Sequence, residues 1–220
     1  MKACWLILAA SLWTSACWAG WPELASPPHS KVEDIGQQVR LNGVPMRMQR
    51  VLSAAASKDI IEFYRKTLGS RHVEETLPDG RLLAQGQGDY FITIRVKTLN
   101  PSLTETLVSV SDARAARNAA GRPLGFQLPS RTQLLSDMES TDAGKLSRQL
   151  VFLNDHSVDA NVDLITKTLQ ARGYKPQPDS ARNSERGRTL MFVGLQREAQ
   201  LVVVRKDGFS NVVLTMVQMP

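Results

Sequence analysis

The stretch Val44–Leu68, VPMRMQRVLSAAASKDIIEFYRKTL, returns without a gap as Lys145–Leu169, KLSRQLVFLNDHSVDANVDLITKTL. Val51-Leu52 lies over Phe152-Leu153, Ile61 over Val162, Tyr64 over Ile165, and Lys66-Thr67-Leu68 over Lys167-Thr168-Leu169. Each copy reads as a strand, a short polar turn and an amphipathic helix. In the first, Met46, Met48, Arg50 and Leu52 alternate with Arg47, Gln49, Val51 and Ser53, the period of a strand. Ser57 is a candidate N-cap, and Asp59 sits where the helix dipole favours an anion. Ile60, Ile61, Phe63, Tyr64 and Leu68 form an apolar stripe at helical spacing, closed by Gly69. In the second, Val158, Val162, Ile165 and Leu169 make a clean helical face, closed by Gly173.

Outward from this pair, each copy continues as strands. Leu77-Pro78-Asp79-Gly80 is a turn, Arg81–Gln85 a short strand, Tyr90–Val96 (YFITIRV) a strong one, and Thr106–Val110 the last. In the second copy Lys175–Glu185, with two prolines, reads as a long loop. Thr189–Leu195, Gln200–Arg205 and Asn211–Val217 read as strands, with a hairpin signal at Asp207-Gly208. QLVVVR at Gln200–Arg205 lies over YFITIR at Tyr90–Arg95.

The expectation is therefore an α+β protein of two duplicated β-α-β-β-β domains, each an antiparallel sheet with one helix on one face. The first repeat, with an extended proline-containing lead-in, covers residues 20–111, and the second 145–220. Residues 112–144 read as a linker with a helical turn or two near Ala113–Ala120. Its last part matches the polar lead-in of the first copy, because Gly144 lies over Gly43.

Residues 1–19 read as an export signal. Lys2 precedes an apolar run from Ala3 to Leu12, and small residues follow. Cleavage after Ala19 would leave a chain that begins at Gly20. Thr14-Ser15-Ala16-Cys17 also resembles a loose lipobox, in which Cys17 would carry lipid and bring membrane contact. Thr14 and Trp18 depart from that pattern and favour the soluble form, periplasmic or secreted. Both cysteines, Cys4 and Cys17, lie in or beside this segment, so stability must come from a packed core, which a hydrophobic content of 42% permits.

Motifs for chemistry are sparse. His29, His72 and His156 stand apart, with no companion at zinc-ligand spacing. No G-x-S-x-G, G-x-G-x-x-G or P-loop occurs. Asp155 and His156 fall in a helix entry. Glu74 and Glu75 fall in a polar loop, Asp79 in a turn, and Asp159 and Asp163 on the wet face of a helix. No cofactor or metal is expected. A formal charge of +6 permits an acidic partner, but basic residues are not interleaved with exposed aromatics as nucleic-acid binding would want. The candidate partner-binding residues are Arg95 with Lys97 and Arg205 with Lys206, near the ends of the strongest strands. There they would form a two-fold basic surface or guard a sheet edge.

The element order over both copies, behind an export signal, resembles exported bacterial envelope proteins with tandem helix-on-sheet domains, such as the helix-grip lipoprotein of the outer-membrane β-barrel assembly machine. No shared motif transfers a functional residue. The resemblance implies a noncatalytic binding or scaffold protein of the cell envelope, with an envelope protein as partner. A secreted hydrolase with a dispersed active site and a binder of anionic glycans or lipid headgroups are the alternatives.

Overall fold

The computed structural model describes residues 20–36, 38–119, 121–184 and 186–220. The export signal and its two cleavage readings lie outside the described residues. The chain is α+β, an antiparallel sheet of 13 strands with helices on one side. In order it forms β1 (Lys31–Asp34), β2 (Gln38–Leu41), β3 (Val44–Ser53), α1 (Ser57–Leu68), β4 (Val73–Leu77), β5 (Gly80–Gln87), β6 (Tyr90–Asn100), β7 (Leu103–Asp112) and α2 (Ala113–Ala119). It continues with β8 (Gln133–Asp142), β9 (Lys145–Asn154), α3 (Val158–Ala171), β10 (Lys175–Ser184), β11 (Gly187–Gly194), β12 (Arg197–Lys206) and β13 (Phe209–Gln218).

The two long helices form for the reasons their sequences give. In α1, Ile60, Tyr64 and Leu68 are buried at four-residue spacing. Asp59 lies in the first turn and Arg65 and Lys66 in the last, each complementing the dipole. Ala56, not Ser57, stands at the N-cap and supplies no side-chain cap. In α3, Ser157 is the N-cap, and its hydroxyl accepts from the Ala160 amide at 3.1 Å. Val162, Ile165 and Leu169 are buried, while Val158 is partly buried against the same cluster.

Across the sheet the strands run β10-β11-β12-β13-β9-β8-β2-β3-β7-β6-β5-β4, with β1 on β3. Outward from the central β2–β8 pair, both wings meet their elements in the same order: hairpin partner, last strand, and then back to the strand that follows the helix. The separate sheets expected from sequence are thus wings of one sheet, joined where Val39 pairs with Ser140. The cross-strand row Met46, Val39, Ser140, Ser147 lies on the face away from both helices, so α1 and α3 cover the same side.

Each helix seals its own core. Under α1 lie Val51, Leu83, Ile92, Ile94, Val96, Val108 and Val110, and under α3 lie Leu150, Phe152, Phe192, Leu201, Val203 and Leu214. Each such side chain contributes about 1.5–3 kcal/mol by leaving water. The loops that enter the helices are held alike. Thr104 on β7 donates its hydroxyl to the Ala55 carbonyl at 2.8 Å, and Ser210 on β13 donates to the His156 carbonyl at 2.6 Å.

Three segments differ from expectation. Residues 112–144 are no linker: they hold α2 and the ten-residue β8, which pairs with β9 along its length. Val73–Leu77 and Lys175–Ser184 are strands, not loops. Both are outermost in the sheet. β4 has no buried residue for an apolar alternation to mark. Pro176 and Pro178 on β10 are tolerable because an edge strand has a free side.

Candidate functional site

The lead-in, residues 20–30, crosses the helix side of the first wing. Trp21 and Leu24 pack against its core, and Pro27 is buried before a turn at Pro28-His29. Residues 121–131 cross the second wing in the same way, with Leu124, Phe126 and Leu128 on the core and Pro129 buried. The turns fix the correspondence. His29 (φ 57) and Arg131 (φ 53) both take the left-handed conformation just ahead of β1 and β8. Counting back from them, Pro22, Leu24 and Ser26 stand where Leu124, Phe126 and Leu128 stand.

Under the lead-in lies a cavity of about 500 Å³. Its floor is Gln49 and Arg47 of β3 opposite Val108 and Val110 of β7. Pro22, Glu23, Leu24 and Ser26 line it from the lead-in, with Asp34, Gly36 and Met48 completing the wall. In the second wing the floor positions hold Leu150 opposite Leu214 and Arg148 opposite Met216. Leu150 and Leu214 are fully buried and Phe126 is 6% exposed, so larger apolar side chains occupy these positions in that wing. At matching register positions the first wing thus holds less apolar volume than the second.

The arginines differ as well. Arg148 donates Nε and Nη2 to the two oxygens of Asp137, each at 2.8 Å, and Nη2 to the Leu124 carbonyl at 2.7 Å. The Asp137 contact raises the Arg148 pKa. In the first wing Asp34 holds the register position of Asp137, opposite Gln49 rather than Leu150. It accepts from the Gln49 amide at 2.9 Å. Arg47 is exposed, lies over the Trp21 ring at 5.4 Å, and has no carboxylate partner among the described residues. The site combines an apolar strip of two valines, the Gln49 amide, the carboxylates Glu23 and Asp34, and a guanidinium with no carboxylate partner among the described residues.

The sequence candidates lie elsewhere. Arg95 and Lys97 are on the open face of β6, both paired with Asp79, at 2.8 and 3.3 Å. Arg205 is on the helix face of β12, where Nη1 donates to the His156 carbonyl at 2.7 Å, and Lys206 points the other way, opposite Phe209. Six strands stand between β6 and β12, which separates the pairs by roughly 30 Å. They form no common surface. The turns also place Arg95 level with Val202, because Tyr90 and Arg197 open the corresponding strands.

A Ser–His contact does occur, between Ser130 Oγ and His156 Nε2 at 3.5 Å, but it is too long for a working hydrogen bond. The same nitrogen lies 2.9 Å from the Ser130 carbonyl, which it reaches only as a donor. A nitrogen carrying that proton has no lone pair for the hydroxyl. Asp155 turns to Arg131 at 3.3 Å. Among the described residues no group of three or more His, Cys, Asp or Glu side chains could hold a metal. Among the described residues no helix is long and apolar enough to cross a membrane.

Glu74 belongs to a separate cluster beneath α1. Arg65 donates Nε and Nη2 to it at 2.6 and 2.8 Å, and His72 Nε2 lies at 2.9 Å. Arg65, and then His72, hold the Glu74 carboxyl down to about 2. The Gly69 carbonyl, and then Glu74, raise His72 above its usual 6.5. His72 therefore binds its proton more tightly folded than unfolded. Its stabilisation is complete below pH 6.5 and disappears as pH rises through the raised value. His72→Gln should flatten this part of a thermal-stability curve against pH. An unchanged slope above pH 6.5 in the variant would show that His72 is not the group responsible.

No protein family, curated protein or solved structure matches the chain.

Proposed function

We propose that this chain is a noncatalytic binding protein of the bacterial cell envelope, exported by its N-terminal signal and serving assembly or secretion there. We further propose that the wings are copies from one duplication: the filled one retained a structural role, and the other was opened to bind. The equivalent left-handed turns, the Thr104 and Ser210 hydroxyl bonds and the shared strand order support the duplication. The observation that carries the binding reading is the comparison at the cavity. Pro22, Leu24, Ser26, Gln49, Val108 and Val110 line it, and each stands where the other wing has a larger or more apolar side chain. A core under selection for stability alone would be filled, since lost volume costs stability in proportion to the space left.

The test is retention. Mature protein purified from its native envelope is expected to carry a noncovalent ligand or partner, seen by native mass spectrometry. Ser26→Leu with Val108→Leu, which restores the second wing's side chains, should abolish that retention and leave the melting temperature equal or higher. Arg95→Glu, on the opposite face, should leave retention intact. Retention unaffected by filling would move binding away from the cavity. Turnover of an ester or glycoside by the pure protein, lost on replacing Ser130 or His156, would establish the hydrolase instead.

A further inference from the structure

Resting on that reading, we infer that the cavity takes an apolar chain ended by a carboxylate. The second wing displays the interaction that the first leaves open. There, an arginine on the helix face of the second hairpin strand holds a carboxylate through two parallel donors, beside apolar side chains that reach the core floor. In the first wing the arginine is present and the apolar volume is missing. The carboxylate at the matching register, Asp34, is bound by Gln49 instead. A ligand that fills the volume and brings its own carboxylate restores both.

The surroundings fit this class. The volume of about 500 Å³ is in the range of small-molecule sites. Val108 and Val110 are each 4% exposed and give the floor an apolar strip beside Gln49 and Arg47. Arg47 is exposed, its guanidinium 5.4 Å from the Trp21 ring, a contact that consumes none of its hydrogen-bond donors. Glu23 and Asp34 also line the cavity, with Asp34 held by Gln49, and Arg47 is its one cationic lining residue. An alkyl carboxylate and the C-terminus of an apolar peptide share this chemistry.

The probes are decanoate against decanol, and N-acetyl-Leu-Phe against its C-terminal amide, titrated into the mature protein by calorimetry. Within at least one pair the acid is expected to bind about tenfold or more tightly than its neutral partner, and which pair does so tells a lipid-like from a peptide ligand. Arg47→Met should remove the preference for the acid while the neutral compound still binds. Ser26→Leu with Val108→Leu should remove both. Equal binding of acid and neutral forms, a preference that survives Arg47→Met, or no binding by any probe to a protein that still retains its native ligand would overturn the inference. In each of those cases the cavity reading stands if filling still abolishes retention, and falls only if it does not.

Discussion

Asn161→Ala should lower the unfolding free energy by about 3 kcal/mol, measured by urea denaturation. Asn161 is fully buried on α3, within an otherwise apolar face. Its amide donates to Asn154 Oδ1 at 3.0 Å and to the Ser157 carbonyl at 2.9 Å, and it accepts from Asn154 Nδ2 at 2.8 Å. Asn154, 2% exposed at the end of β9, uses the same oxygen to receive the His156 amide at 3.1 Å. Alanine would open a hole and leave the Asn154 amide with one weak contact, Thr132 Oγ1 at 3.2 Å. The first wing solves the same corner without amides. Ser53 and Ile60 occupy these positions, and Ser53 Oγ receives the Ala55 amide at 3.2 Å. Asn154→Ser combined with Asn161→Ile should therefore recover to within about 1 kcal/mol of wild type, although Asn161→Ile alone should not. Additive losses would mean that the two asparagines do not act as a unit.

That exchange of solutions between wings also shows how far the sequence can be read. The ungapped match holds through the first hairpin strand and the helix, where apolar residues must face one core and cannot drift. Ile61 over Val162 and Tyr64 over Ile165 are true equivalents for that reason. Beyond the helices the loops differ in length, and the match of QLVVVR to YFITIR slides out of phase with the turns. A shift of odd length moves every side chain to the other face of the sheet. That slip made Arg95 and Arg205 look equivalent, although one is on the open face and the other caps the entry to α3. β4, β8 and β10 gave no signal because edge and half-exposed strands need no apolar alternation. The cavity gave none either, because it consists of missing volume. Ser26, Val108 and Val110 are unremarkable singly, and only a register that lays residues 20–30 over 122–132 shows them to be small. Arg47 did appear in the strand alternation, but nothing in sequence separates a guanidinium with a carboxylate from one without.

Gly80→Ala should be among the most damaging single-methyl additions in the chain, costing on the order of 3 kcal/mol or more. A Cβ at Gly80 would sit 2.0 Å from the Val96 carbonyl oxygen and 3.0 Å from its carbon. These are backbone atoms of the paired strand, with Val96 1% exposed in the core, so relief requires the β5–β6 ladder to part at this end. Parting there would also pull Asp79 from Arg95 and Lys97. Gly187 opens β11 in the same relation to β12. Its added Cβ would meet the Val203 carbonyl oxygen at 2.6 Å, less severe than at Gly80, so Gly187→Ala should destabilise in the same direction by less. Gly86 lies on the same strand as Gly80 with open space where a Cβ would go, and Gly86→Ala should stay within about half a kcal/mol of wild type. The order Gly80, Gly187, Gly86 in loss of stability tests the register itself. If Gly86→Ala cost as much as Gly80→Ala, helix and strand propensities would explain the losses, and the close approach of the two strands would not.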